Sequence, residues 1–165
     1  MRVLGIDPGL SRCGWALLEK DIGKKYKLIS YGEIETKLLK ENPSDITQRL
    51  KRIFLGLKKI LIQYKPNIIC IESQFYSKIS KNMINTYFAT GIIYLLSALY
   101  NTELKEFPAK TVKLSVTGYG SASKLQIRKM IKLLLEIEKE ITSEHINDAI
   151  SVALCYFNTQ SELYV

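Results

Sequence analysis

The chain opens on an apolar run, Val3 to Ile6, that ends on Asp7 and is broken at once by Pro8-Gly9. Such a run reads as a buried strand over residues 2–7, followed by a turn through Pro8–Arg12. Cys13–Leu18 is a second strand. Asp21–Lys25, with Gly23 inside it, is a hairpin turn, and Tyr26–Thr36 is a third strand with alternating positions. Three strands joined by short turns make an antiparallel meander. Beyond Pro43 the period lengthens. Ile46, Leu50, Ile53, Leu57, Ile60 and Tyr64 predict a helix, capped by Ser44 or Asp45 and stopped before Pro66. Asn67–Glu72 is a second short apolar run that ends on a carboxylate. A helix over about Asn82–Tyr100 follows, then a further buried strand at Glu103–Phe107, parallel to its neighbours by its helical connection. Helices are expected at about Ala109–Thr117, Ser123–Glu136 and Ser143–Phe157. The order predicts one α/β domain over residues 1–165, with a mixed five-stranded sheet (three antiparallel strands, then two parallel) flanked by helices.

Composition adds one strong bias. The chain has 165 residues, 47% hydrophobic and 24% charged, which suits a globular domain with its own core. Its formal net charge of +8 favours a polyanionic partner, nucleic acid or an acidic membrane surface. The longest apolar run, Phe88–Tyr100, is shorter than the roughly 18 residues a bilayer span requires. No signal peptide is visible, because Asp7 interrupts the apolar stretch near the N-terminus. Cys13, Cys70 and Cys155 are scattered and the chain has one His, so a zinc site is not expected and the thiols read as reduced core residues. These features place the chain in the cytoplasm, with no membrane role.

Candidate chemistry lies at two strand ends and on one helix. Asp7 is equally a turn former or a ligand when taken alone. If the strands ending on Asp7 and Glu72 are parallel neighbours, both acids lie at the sheet edge where α/β proteins bind ligands. Two buried carboxylates there repel unless a divalent cation joins them. In Glu144-His145-Ile146-Asn147-Asp148, His145 and Asp148 are three residues apart and share a helix face. Small Ala149, Val152 and Ala153 let that helix approach a sheet closely. Together Asp7, Glu72, His145 and Asp148 make a four-ligand set for hard divalent cations. Two such ions about 3.5–4 Å apart can clamp the attacking and leaving oxygens of a phosphodiester.

With these residues in place, the chain closely resembles the RuvC family of bacterial Holliday-junction resolvases, crossover junction endodeoxyribonucleases of the RNase H-like superfamily. The resemblance rests on Gly5-Ile6-Asp7-Pro8-Gly9, Ile71-Glu72 and His145-x-x-Asp148-Ala149. Val112-Lys113 and Gly118-Tyr119-Gly120-Ser121-Ala122-Ser123-Lys124 are intermediate landmarks. It implies an RNase H-like fold and a homodimeric nuclease that nicks a four-way junction symmetrically, during recombination and DNA repair. Asp7, Glu72, His145 and Asp148 would be the catalytic, metal-binding residues for two Mg²⁺ ions, with Mn²⁺ a plausible substitute. Phe75, Lys113 and Lys124 would contact DNA, and RuvA and RuvB would be the branch-migration partners. Family members carry Asp or His at position 145. The softer, titratable imidazole predicts tolerance of Mn²⁺ and a steeper activity loss below about pH 6.5 than His145→Asp would show.

Other readings remain. Gly-Ile-Asp-x-Gly also opens actin-like ATPases and sugar kinases, but those need a second such domain. A non-cutting junction-binding module needs the lysines and not the carboxylates. Another RNase H-like nuclease acting on RNA or other branched DNA would share the metal chemistry. Lys110, Lys113, Lys124, Arg128, Lys129 and Lys132 form a basic stretch suited to phosphates. The helix at 82–100 is apolar around most of its circumference, through Met83, Ile84, Tyr87, Phe88, Ile92, Tyr94, Leu95 and Leu99. It therefore meets either a second subunit or the later helices.

Overall fold

The computed structural model of the chain describes residues 1–21, 23–36, 46–73 and 81–161. The expected cap at Ser44 or Asp45 and the expected base contact at Phe75 lie outside these residues. Five strands and five helices run in the order β1 (Arg2–Asp7), β2 (Arg12–Glu19), β3 (Lys27–Glu35), α1 (Ile46–Tyr64), β4 (Ile68–Ser73), α2 (Lys81–Leu99), β5 (Glu103–Pro108), α3 (Ala109–Thr117), α4 (Lys124–Leu134) and α5 (Glu144–Ser161). The sheet order is β3-β2-β1-β4-β5, with β1 central. β1–β2 and β2–β3 pair antiparallel, and β1–β4 and β4–β5 pair parallel, as the meander and the helical crossovers predict.

Two apolar layers enclose the sheet. On one face Leu4, Ile6, Leu17, Ile69 and Ile71 meet Ile53, Leu57 and Leu61 of α1 and Ala89, Ile93 and Leu96 of α2. On the other, Val3, Ala16, Leu18, Ile68 and Cys70 meet α3, α4 and α5. A strand covered on both faces reads as continuous apolar sequence, which explains the runs in β1 and β4. Helix ends follow local chemistry. α3 stops at Gly118, whose φ of 75° lets its N–H reach back to the Leu114 carbonyl. α4 starts on a reciprocal capping box between Ser123 and Gln126.

Two expectations are corrected. β5 is not buried: Glu103, Lys105 and Glu106 are exposed, because it is the sheet edge and helices cover it incompletely. The outer side of α2 is not covered by the later helices, which lie across the sheet; Ile84, Phe88, Tyr94, Leu95 and Leu99 are 43–58% exposed.

Candidate active site

β1 and β4 pair with Val3 opposite Ile68 and Ile6 opposite Ile71. One step further along that register stand Asp7 and Glu72, at the carboxyl ends of two parallel strands beside the sheet centre. The sequence-based placement of both acids at one sheet edge holds.

α5 brings the remaining groups to that edge, and two glycines decide how closely. A Cβ on Gly5 would lie 1.9 Å from the Ala149 carbonyl oxygen. A Cβ on Gly14, which faces Asp7 across the β1–β2 register, would lie 2.2 Å from the His145 carbonyl oxygen and 2.9 Å from its Cβ. The helix backbone thus rests on bare strand at positions one helical turn apart. His145 then falls over Asp7, with Nδ1 2.7 Å from the Asp7 Oδ2. The first turn of α5 is fixed further by Ser143, whose Oγ donates to Glu33 of β3 and accepts from the Ile146 N–H at 3.2 Å. The Asn147 side-chain amide donates to the Ile141 and Ser143 carbonyls, each at 2.7 Å. Gly14→Ala is expected to lose about 1–3 kcal/mol of stability by overpacking. Urea denaturation measures that loss. Displacing His145 should lower DNA cleavage more than DNA binding.

The four groups act as one electrostatic unit. Burial, reinforced by Asp7, pushes the Asp148 carboxyl up to about 6, against the pull of Lys124 and His145. Burial also raises Glu72, reinforced by Asp148 and then Asp7, with Lys113 opposing. The hydrogen bond to Asp7 raises His145 against its own burial, with Glu33 and Asp148 adding to the rise. Carboxylates that share a site and raise one another disfavour the charged state there. Among the described residues, no three His, Cys, Asp or Glu side chains converge closely enough to hold a metal ion together. Of the four groups named from the sequence, Asp7 and His145 are hydrogen-bonded, and Glu72 and Asp148 are coupled to them electrostatically. The donor set fits a hard divalent cation all the same: three oxygen ligands and one imidazole, partly buried, with negative charge that a dication would relieve.

The two singled-out lysines act on different members of this unit. Lys113 is half-buried and acts on Glu72; Lys124 is exposed, pairs with Glu144 and acts on Asp148 and Asp7. Lys110 and Lys113 line a cavity of about 540 Å³ with Tyr119, Gly120 and Ser121. A second cavity of about 470 Å³ runs from His145 along Ser11 and Arg12 to Asn85 and Thr86 of α2.

Sequence reasoning missed Glu33, Glu144 and Arg49. Arg49 Nε donates to Thr36 Oγ1 at 2.9 Å and its Nη2 to Ser11 Oγ at 2.7 Å, while Thr36 Oγ1 donates to the Leu10 carbonyl at 2.5 Å. This network pins the turn after Asp7. A signal for it existed: Arg49 lies three residues after Ile46 and four before Ile53, on the inward stripe of α1, where a cation must find acceptors.

A family model described as "Crossover junction endodeoxyribonuclease RuvC" matches residues 3–156. The crossover junction endodeoxyribonuclease RuvC of Caldicellulosiruptor saccharolyticus is 38% identical over 163 residues, covering 99% of this chain and 96% of that protein. The protein of the same description from Rickettsia felis is 40% identical over 153 residues, covering 93% of this chain and 95% of its own length. A solved structure of Thermus thermophilus RuvC in complex with Holliday junction substrate superposes with a TM-score of 0.88, over 98% of this chain and 96% of that one, at 22% identity. The last comparison gives the fold alone.

Proposed function

Because the chain belongs to the RuvC family of crossover junction endodeoxyribonucleases, we propose that it resolves four-way DNA junctions by paired phosphodiester hydrolysis, during recombination and repair, as a single nuclease domain over residues 1–165. The observation that carries the reading is the gathering of Asp7, Glu72, His145 and Asp148 at one sheet edge, where Asp7 raises the other three and Asp148 adds to the rise of Glu72 and His145. Asp7, Glu72 and Asp148 offer oxygen ligands for Mg²⁺, and His145 offers a nitrogen that makes Mn²⁺ an acceptable substitute. Such ions, when bound, supply charge stabilisation at the attacking and leaving oxygens.

The chain's own residues do the rest. Asp7 holds His145 through Nδ1, so the imidazole is oriented before substrate arrives. The same bond favours the protonated ring, and a ring held protonated would offer a cation less, which fits a loss of activity on the acid side. Lys113 and Lys124 stand beside Glu72 and Asp148, placed to meet phosphates next to the scissile bond. Phe75, three residues after Glu72, is proposed to stack on an unpaired base.

A homodimer is proposed through α2. Ile84, Phe88, Gly91, Leu95 and Leu99 form one stripe on its exposed side. Nothing lies within 4 Å of where a Gly91 Cβ would be, so the stripe has a notch for an opposing side chain. A twofold dimer suits a substrate with two symmetry-related scissile strands. RuvA and RuvB are the partners the family implies. Among the described residues no helix is long and apolar enough to cross a membrane, and a cytoplasmic location is proposed for a nuclease of chromosomal DNA.

The test offers a labelled four-way junction and a linear duplex, with Mg²⁺, Mn²⁺ or EDTA. Symmetric nicking of the junction alone, lost in EDTA, is the expected outcome. Equal cutting of the linear duplex overturns the junction reading.

A further inference from the structure

Lys124 stands between two sets of acids. Its ammonium is ion-paired with Glu144, on the first residue of α5. It is also within electrostatic reach of Asp148 and Asp7, which add to its attraction for a proton. The two sets differ in consequence. Glu144 is exposed and takes no part in the Asp7–His145 pair. Asp148 and Asp7 are part-buried, and an ammonium lodged against them would satisfy the carboxylates that a divalent cation needs. A lysine on a flexible four-carbon stem can reach either set.

We propose that Glu144 is a positioning residue that tethers the Lys124 ammonium at the rim of the site and keeps it off Asp148 and Asp7. The inference rests on the reading of those acids as metal ligands. The geometry supports it in three ways. Glu144 is next in sequence to His145, so the tether is anchored on the same helical turn as the site itself. Ser123 caps α4 with a full capping box, which fixes the backbone from which Lys124 projects. Lys124, Glu144 and Asp148 line one narrow cleft between α4 and α5, together with Ile127, Arg128 and Asn147, so the inward path is short. An exposed carboxylate is a weak partner, which suits a tether that must release its lysine to an incoming phosphate. Lys124 then serves the substrate without competing for the metal seat.

The test uses the full-length protein and has a metal-free arm and a metal arm. In EDTA, contacts from the Lys124 Cε protons to the Asp148 Cβ protons are sought by NMR. They are expected to be absent in the wild type and to appear in Glu144→Gln. In the metal arm, Mg²⁺ and Mn²⁺ binding is read from thermal shift and calorimetry. Glu144→Gln is expected to weaken binding about three- to fivefold. The loss should vanish in Lys124→Met, where Glu144→Gln adds nothing. Unchanged Lys124 contacts in Glu144→Gln overturn the tether. So does a metal-binding loss of the same size in the Lys124→Met background, because Glu144 would then be acting through its own charge. A wild type that binds neither ion defeats the metal reading separately, and the metal-free arm still decides the position of Lys124.

Discussion

Asp7→Asn is expected to abolish junction cleavage, by at least about a thousandfold, which corresponds to about 4 kcal/mol of lost transition-state stabilisation. Junction binding, measured by gel shift without metal, should stay within about twofold, because phosphate contacts dominate affinity and the proposed ones are made by the lysines. The asymmetry follows from where Asp7 stands. It ends the central strand, faces the His145 ring and is among the charges that raise both Glu72 and Asp148. Asn keeps the size and can still hydrogen-bond the imidazole, so the fold and the seat of His145 persist. What it removes is one negative charge from the cluster and one of the proposed hard ligands. A variant that cleaves at wild-type rate with the same metal requirement would remove Asp7 from the catalytic set.

The second large effect concerns stability and has the opposite sign. With its carboxyl raised to about 6 by burial and by Asp7, Asp148 binds a proton more tightly in the fold than in the unfolded chain. Between about pH 4 and pH 6 the folded state therefore holds the extra proton, and stability falls as pH rises through that window. Above it the charge penalty is complete. The shift from 3.8 to about 6 sets a ceiling near 3 kcal/mol, which partial solvent access lowers to about 2 kcal/mol. Asp148→Asn is accordingly expected to raise the Tm of the protein in EDTA at pH 7.5 by about 4–8 °C, while eliminating cleavage. The gain should shrink to about a third at pH 4.5, where the carboxyl is protonated in the fold but already mostly ionised in the unfolded chain. Thermal melts at the two pH values check it, and a variant less stable than wild type at pH 7.5 would mean that Asp148 is held by attraction. Glu72, raised by the same neighbours, tilts stability the same way. The site is thus a strained place in an otherwise apolar fold, and bound dications should relieve it.

Much of this arrangement is written in local pattern. The buried runs of β1 and β4 and the stripe of α1 follow from period alone, and two strand-end acids mark the edge they reach. Ala149 and Ala153 hinted at close packing of α5, and Gly5 beneath them completes the contact. Other features are products of tertiary contact. Position 14 matters because His145 lies on it, 131 residues away in the chain. The pairing of Glu144 is not visible in local sequence because its partner, Lys124, sits on another helix. The direction of β5 follows from its helical connection, but its burial does not, and its own residues, Glu-Leu-Lys-Glu, carry the charge of an edge that resists further pairing.

The three cysteines have a practical consequence. Each is free and buried. Burial first, and then the charge of Asp7, pushes the Cys13 thiol up to about 12; burial also raises Cys70 and Cys155. Thiolate is the reactive species, so the native chain should be nearly silent toward maleimides while folded. A single cysteine introduced on the surface would then carry a fluorophore or spin label without removal of the natural ones. The folded protein is ready-made for distance measurements on a junction-bound complex.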